Sequence, residues 1–156
     1  SVREGLAFES AIESDSAALH DLVAAVLAAG GAGVHVLRDP TRGGVSSATN
    51  EIALSAGVGM VLDERAIPVR EDVRGACEIM GLDPLYVANE GKAIAIVAPE
   101  VADAVLAALR GHPLGREAAI VGEVTPGPAG RVTIRSRVGG TRLLDMMSGE
   151  QLPRIC

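Results

Sequence analysis

The sequence predicts an α/β or α+β domain with a mixed β-sheet flanked by helices. Three observations carry this. Short apolar runs alternate with stretches of helical period through the first two thirds of the chain. Residues 131–138 then change to a strict two-residue period, with Val132, Ile134, Ser136 and Val138 opposite Arg131, Thr133, Arg135 and Arg137. Glycine pairs or Pro-Gly clusters punctuate the chain at the changes of period.

Taken in order, the first helix is expected after Ser14 or Asp15, whose side-chain oxygens suit an N-cap. Leu19, Leu22, Val23, Val26 and Leu27 then share one face, and Gly30-Gly31 ends it. Residues 34–37 read as a buried strand, and 39–44 as a break. A second helix places Val45, Ala48, Ile52 and Ala56 on one stripe and stops at Gly57. Residues 58–62 are the next strand. Pro68 opens a third helix over about 70–80, closed by Gly81. Residues 88–91 form a loop before the solid apolar run 93–98, which reads as a central strand. Pro99 and Glu100 begin a fourth helix lined by Val101, Ala104, Val105, Ala108 and Leu109. Residues 118–124 and 131–138 give the last long strands, the second entering a hairpin-like stretch that turns at Gly139-Gly140. We divide the chain into a body, 1–144, and a tail, 145–156, which has no clear period and is expected to be mobile.

Composition narrows the function. At 156 residues and 15.9 kDa there is room for one core, and mean hydropathy of +0.31 with 22% charged residues excludes a disordered chain. No uncharged apolar run reaches the roughly 18–20 residues of a membrane span. A net charge of −6, with one Phe, one Tyr and no Trp, disfavours nucleic acid, which needs clustered cations and stacking rings. The cations are 13 Arg and one Lys beside 25 Ala, a genome-wide bias rather than a binding signal. Two cysteines make no disulfide framework, and without an export signal the expected compartment is the cytoplasm. The chain starts on Ser1, as a processed product or a piece of a longer protein does.

Three features bear chemistry. Cys156, the last residue, is expected to be a thiol able to move between sites; its own α-carboxylate is expected to raise its pKa, with Arg154 offsetting part of this, so that a partner site would have to activate it, and an accidental exposed cysteine is the alternative. Asp39-Pro40-Thr41-Arg42-Gly43-Gly44 lies between a strand and a helix. Glycines there open backbone N–H groups to an anion, and Arg42 offers a clamp for phosphate or carboxylate. It lacks the Gly-Lys-Ser/Thr ending of a Walker loop, and on spacing alone a tight strand-to-helix turn with Asp39 as cap is the favoured alternative. Asn89-Glu90-Gly91-Lys92 precedes a strand, where Glu90 is placed to accept protons and the one lysine stands; a polar turn is the alternative. His20, His35 and His112 form no cluster, and no CxxC or HxxxH spacing exists, so we assign no metal site. Cys77, Met146 and Met147 are expected to pack.

Together these stretches are more specific than any alone. Arg38 to Gly44, Ala88-Asn89-Glu90-Gly91-Lys92, the terminal Leu152-Pro153-Arg154-Ile155-Cys156 and the opening Ser1-Val2-Arg3-Glu4-Gly5-Leu6-Ala7-Phe8-Glu9 resemble the HypE family of hydrogenase maturation factors. The resemblance covers the whole chain but only that family's C-terminal domain. It lies within a superfamily with aminoimidazole ribonucleotide (AIR) synthetase and selenophosphate synthetase, so the fold expected is that of the AIR synthase C-terminal domain. The Pro-Arg-Ile-Cys ending separates HypE from those relatives.

The resemblance implies a carbamoyl dehydratase. A carbamoyltransferase, HypF, places a carboxamide on Cys156. ATP and Mg²⁺ then serve its dehydration to a thiocyanate, and the cyano group passes to iron on a HypC–HypD complex for the [NiFe] centre. Glu90 matches the candidate base, with Asn89 or Lys92 orienting the group or offsetting charge. Asp39, Thr41, Arg42, Gly43 and Gly44 would face the phosphates. The family's N-terminal domain, with the Mg²⁺-binding acids and most ATP contacts, is missing. This chain alone is therefore expected not to hydrolyse ATP usefully, and to be monomeric although the full-length protein is a homodimer. Two other functions remain: an ATP-dependent superfamily enzyme acting on a small molecule, which needs no terminal thiol, and a non-enzymatic module that docks maturation partners.

Overall fold

The computed structural model describes residues 12–146. Ten regular elements follow in sequence: α1 His20–Gly30, β1 Val34–Arg38, α2 Gly44–Ala56, β2 Gly59–Asp63, α3 Glu71–Met80, β3 Ile94–Val97, α4 Pro99–Gly111, β4 Gly122–Thr125, β5 Val132–Arg135 and β6 Thr141–Leu143.

The strands form two sheets rather than one. The larger is mixed, in the order β4-β2-β5-β6, with β2 and β5 parallel and the outer pairs antiparallel. Its central register sets Met60 beside Val132 and Leu62 beside Ile134. These four side chains are buried while their neighbours Val61 and Thr133 are only half-buried, the alternation that a pleated strand imposes. The smaller sheet pairs β1 with β3 antiparallel, from Val34 opposite Val97 to Arg38 opposite Ile94, with an irregularity between Val34 and Val36. The expectation of a central strand at 93–98 is therefore corrected: β3 pairs with β1 alone, and all four of its residues are half-buried.

Helix α2 packs on the larger sheet through β2 and β5, while α1 packs against α4. The core joins Ala53 of α2, Met60 and Leu62 of β2, Val132 and Ile134 of β5, and Ile67, Leu85 and Leu144 from the connections.

Several boundaries move. Helix α1 begins at His20 and neither Ser14 nor Asp15 caps it; Leu19 stands at the cap with no side-chain bond. Helix α3 begins at Glu71, after Pro68, with Arg70 at its cap position. The strand expected at 118–124 narrows to β4. The one expected through Val138 ends at Arg135, where Ser136 folds back through its hydroxyl to the Gly139 carbonyl and leaves Val138 exposed. Met146 is half exposed rather than packed. Cys77 lies buried in α3 as expected, and burial there pushes its thiol pKa up, aided by Asp83 and opposed by Arg74.

The stripe expected on α2 is not its most buried face. Val45 and Ile52 are half-buried and Ala56 is exposed, whereas Ser46, Ser47, Thr49 and Asn50 are buried beside Ala48 and Ala53.

Candidate functional site

The loop after β1 is anchored by Pro40, which is fully buried. On either side of it Asp39 and Arg42 are exposed, and Thr41 is half-buried. The Arg38 guanidinium bridges Asp39 at 2.7 Å and Glu51 of α2 at 2.9 Å. The Thr41 hydroxyl donates to the other Asp39 oxygen. These contacts, the Thr41 hydroxyl first, with Asp39's own backbone and the Arg38 charge after it, hold the Asp39 carboxyl below its ordinary pKa. Asp39 thus braces the turn and does not cap α2; Gly43, in the left-handed region at φ 68°, occupies the cap position without a side-chain bond.

Gly44 fixes how closely the second loop can approach. Its φ is +63°, and a Cβ placed there would lie 2.5 Å from the Leu85 carbonyl oxygen and 2.6 Å from that of Val87. Only a residue with no side chain admits this contact between the start of α2 and residues 85–87.

The same contact carries the chain into Asn89. Its backbone N–H donates to the Pro40 carbonyl at 3.1 Å, its carbonyl lies 3.4 Å from Thr41 Oγ1, and its side-chain amide donates to the Val87 carbonyl at 2.7 Å. The two predicted loops are therefore in contact at Asn89. Glu90 follows directly and is exposed. Beyond it, Gly91 packs against the chain before α1 so closely that any Cβ would collide with the Asp15 carbonyl. Lys92 Nζ donates to Asp15 at 3.0 Å.

Each predicted residue now has a place. Asp39, Thr41, Arg42, Gly43, Gly44, Asn89, Glu90 and Lys92 lie on this pair of loops. Asn89 spends its amide N–H on the turn itself, and Lys92 spends its charge on Asp15. Cys156, with the tail from 147 onward, lies outside the described residues. Asp15, Ser46 and Asn50 were not foreseen. Ser46 Oγ donates to the Asp145 carbonyl at 2.7 Å, and Asn50 Nδ2 donates to the Leu144 carbonyl at 2.6 Å. The one signal for the last pair was polar residues within a helix facing a core.

Among the described residues no group of three or more His, Cys, Asp or Glu could hold a metal ion. Of the carboxylates around the two loops, Asp39 and Glu51 are engaged by Arg38 and Thr41 and Asp15 by Lys92, which leaves Glu90. The described residues do not fit a Mg²⁺ ion.

Known proteins match both the sequence and the fold. A carbamoyl dehydratase HypE of Cupriavidus necator is 62% identical over all 156 residues. The solved structure of a hydrogenase maturation protein HypE in complex with ATP is 47% identical over 99% of this chain, with a TM-score of 0.91. The HypE of a HypE–HypF complex is 40% identical over 94% of it, with a TM-score of 0.88. The chain spans 44% of the Cupriavidus protein and 47% of each of those two structures, about half their length. Residues 1–135 match the model of the AIR synthase related protein, C-terminal domain. The chain belongs to the AIR synthase related family, as a C-terminal domain of the kind found in HypE.

Proposed function

We propose that this chain is the C-terminal domain of an ATP-dependent carbamoyl dehydratase in which Cys156 carries the reacting group. The observation that carries the proposal is the joining of the two loops at Asn89, which puts Glu90 one residue from the contact with Pro40 and Thr41. A proton acceptor beside an anion-binding turn suits the dehydration of an amide.

The chemistry balances as follows. HypF, the partner in the similar complex, supplies a carboxamide to the Cys156 sulfur. The carboxamide oxygen takes the terminal phosphoryl group of ATP, releasing ADP and turning a poor leaving group into phosphate. One N–H proton passes to solvent as the oxygen is phosphorylated, and Glu90 accepts the second as the C–O bond breaks, phosphate leaves and C≡N forms. The sulfur then bears a thiocyanate; delivery of its carbon as a cyanide ligand to iron on a HypC–HypD complex for the [NiFe] centre breaks the S–C bond and returns the Cys156 thiol, with the two electrons and the proton supplied by that accepting complex. Arg42 and the Gly43-Gly44 turn face the phosphates. Asn89 holds the loop in place, and Lys92 acts as a strut to Asp15. Most ATP contacts, any Mg²⁺ ligands and the homodimer contact belong to the rest of the full-length protein. We assign that protein to the cytoplasm; among the described residues no helix is long and apolar enough to cross a membrane.

Replacing Cys156 by Ser in the full-length protein, Cys156→Ser, tests the carrier role in a hydrogenase-producing strain. The expected outcome is loss of hydrogenase maturation with normal protein abundance. Normal maturation would remove Cys156 from the mechanism.

A further inference from the structure

Arg74 of α3 is a mostly buried cation, with 19% of its side chain exposed. Its Nε and Nη2 are buried, and neither has a hydrogen-bond partner among the described residues. Glu71, one turn back on the helix, lies 3.6 Å from Nε, beyond hydrogen-bonding distance, and its own side chain is 86% exposed. A buried donor without an acceptor is costly, and more so when it carries charge.

The two atoms belong together. The Nε–H and the Nη2–H beside it form one edge of the planar guanidinium, two parallel donors at the spacing of the two oxygens of a carboxylate. One water offers that edge a single oxygen; a carboxylate offers both. Arg74 lines a cavity of about 20 Å³ together with Glu64, Asp83, Leu85 and Arg137. That volume holds little more than one water, so only the head of a ligand enters.

Charge around the cavity favours an anion. Glu64 accepts the Arg137 backbone N–H at 3.0 Å, and Asp83 accepts the Leu85 N–H and the Arg142 guanidinium, both at 2.9 Å. Arg65 donates to the Arg137 carbonyl at 2.6 Å. Four arginines, Arg65, Arg74, Arg137 and Arg142, thus gather around three carboxylates, Glu64, Glu71 and Asp83, in a chain whose net charge is −6. A phosphate is tetrahedral and doubly charged, and Glu64 and Asp83 on the wall oppose it. A planar monoanion meets less repulsion and matches the edge.

We infer that Arg74 is a carboxylate-binding site, in which a monocarboxylate seats its two oxygens on the Nε–Nη2 edge. The carboxylate comes on a small molecule or on an acidic side chain of a partner protein. The site is separate from the two loops and does not depend on Cys156. Leu85 links the two regions, since it lines this cavity and its carbonyl packs against Gly44.

The test uses full-length protein carrying nitrogen-15 at arginine Nε. The Arg74 resonance is identified by its loss in Arg74→Lys, or in Arg74→Gln should the lysine variant not fold. Acetate, a blocked tripeptide with a central Glu, its Gln counterpart and inorganic phosphate are titrated at constant ionic strength. Acetate should shift the Arg74 resonance saturably, with half-saturation below about 50 mM, while phosphate and the Gln peptide leave it in place. A Glu peptide that binds more than about fivefold tighter than acetate assigns the site to an acidic side chain; equal or weaker binding assigns it to a free carboxylate. No saturable shift with either carboxylate overturns the site. So does a shift seen only in Glu71→Gln, because Glu71 then closes the edge from within the chain. Phosphate binding as tightly as acetate would overturn the carboxylate assignment.

Discussion

Gly44 is held in the left-handed region with two backbone carbonyls in the place of a side chain. Gly44→Ala therefore meets both a conformational cost and a wall that cannot rotate away. We expect a loss of about 2–4 kcal/mol in urea unfolding, larger than a Gly-to-Ala change at an open position. Asp39 gives a second prediction. Its folded carboxyl lies below the ordinary value near 4. Its contribution is present in full above that value and fades as pH falls through the folded pKa, where the folded carboxylate also protonates. In denaturant midpoints measured from pH 2.5 to 7, the gap between parent and Asp39→Asn should be level above about pH 5 and close below about pH 4. Because Asp39 is exposed, the gap should shrink with salt. At this scale the sequence was partly informative: of the residues named on the second loop, Asn89 meets Pro40 and Thr41, while Lys92 turns to Asp15. What it could not show is that Asp39 serves the turn through Arg38 and Thr41, since those contacts depend on side-chain direction.

Among elements, α2 was placed correctly but its inward face was misread. A hydrophobic stripe registers apolar residues only. The partners that let Ser46 and Asn50 be buried lie 99 and 94 residues further on, beyond any local window. The start of α1 was misplaced for a related reason: Asp15 is taken by Lys92, another long-range partner. The run 93–98 was rightly called a strand, but apolar runs do not tell a central strand from a member of a two-stranded sheet. The contact of Gly91 with the backbone of Asp15 holds the Glu90 loop from its far side. Gly91→Ala must push that loop away. In full-length protein it should lower the water-loss rate at saturating ATP at least fivefold while leaving carboxamide acceptance unchanged. An equal rate in the variant would show that the loop's position is not critical.

For the whole molecule, the mixed α/β class was legible because alternation of apolar runs and helical period is a local signal. The division into a four-stranded and a two-stranded sheet was not, because pairing is set by packing between distant segments. The family was legible through four short stretches in combination, and its model matches residues 1–135. The remaining half of its relatives' length is where the proposal puts the bulk of nucleotide binding. The central claim concerns the sulfur at residue 156. Its most direct test is the intact mass of full-length protein incubated with its carbamoyltransferase, carbamoyl phosphate and ATP. The account predicts a carboxamide on the last peptide, followed by loss of one water only when ATP is present; an unchanged Cys156 with modification elsewhere would contradict it.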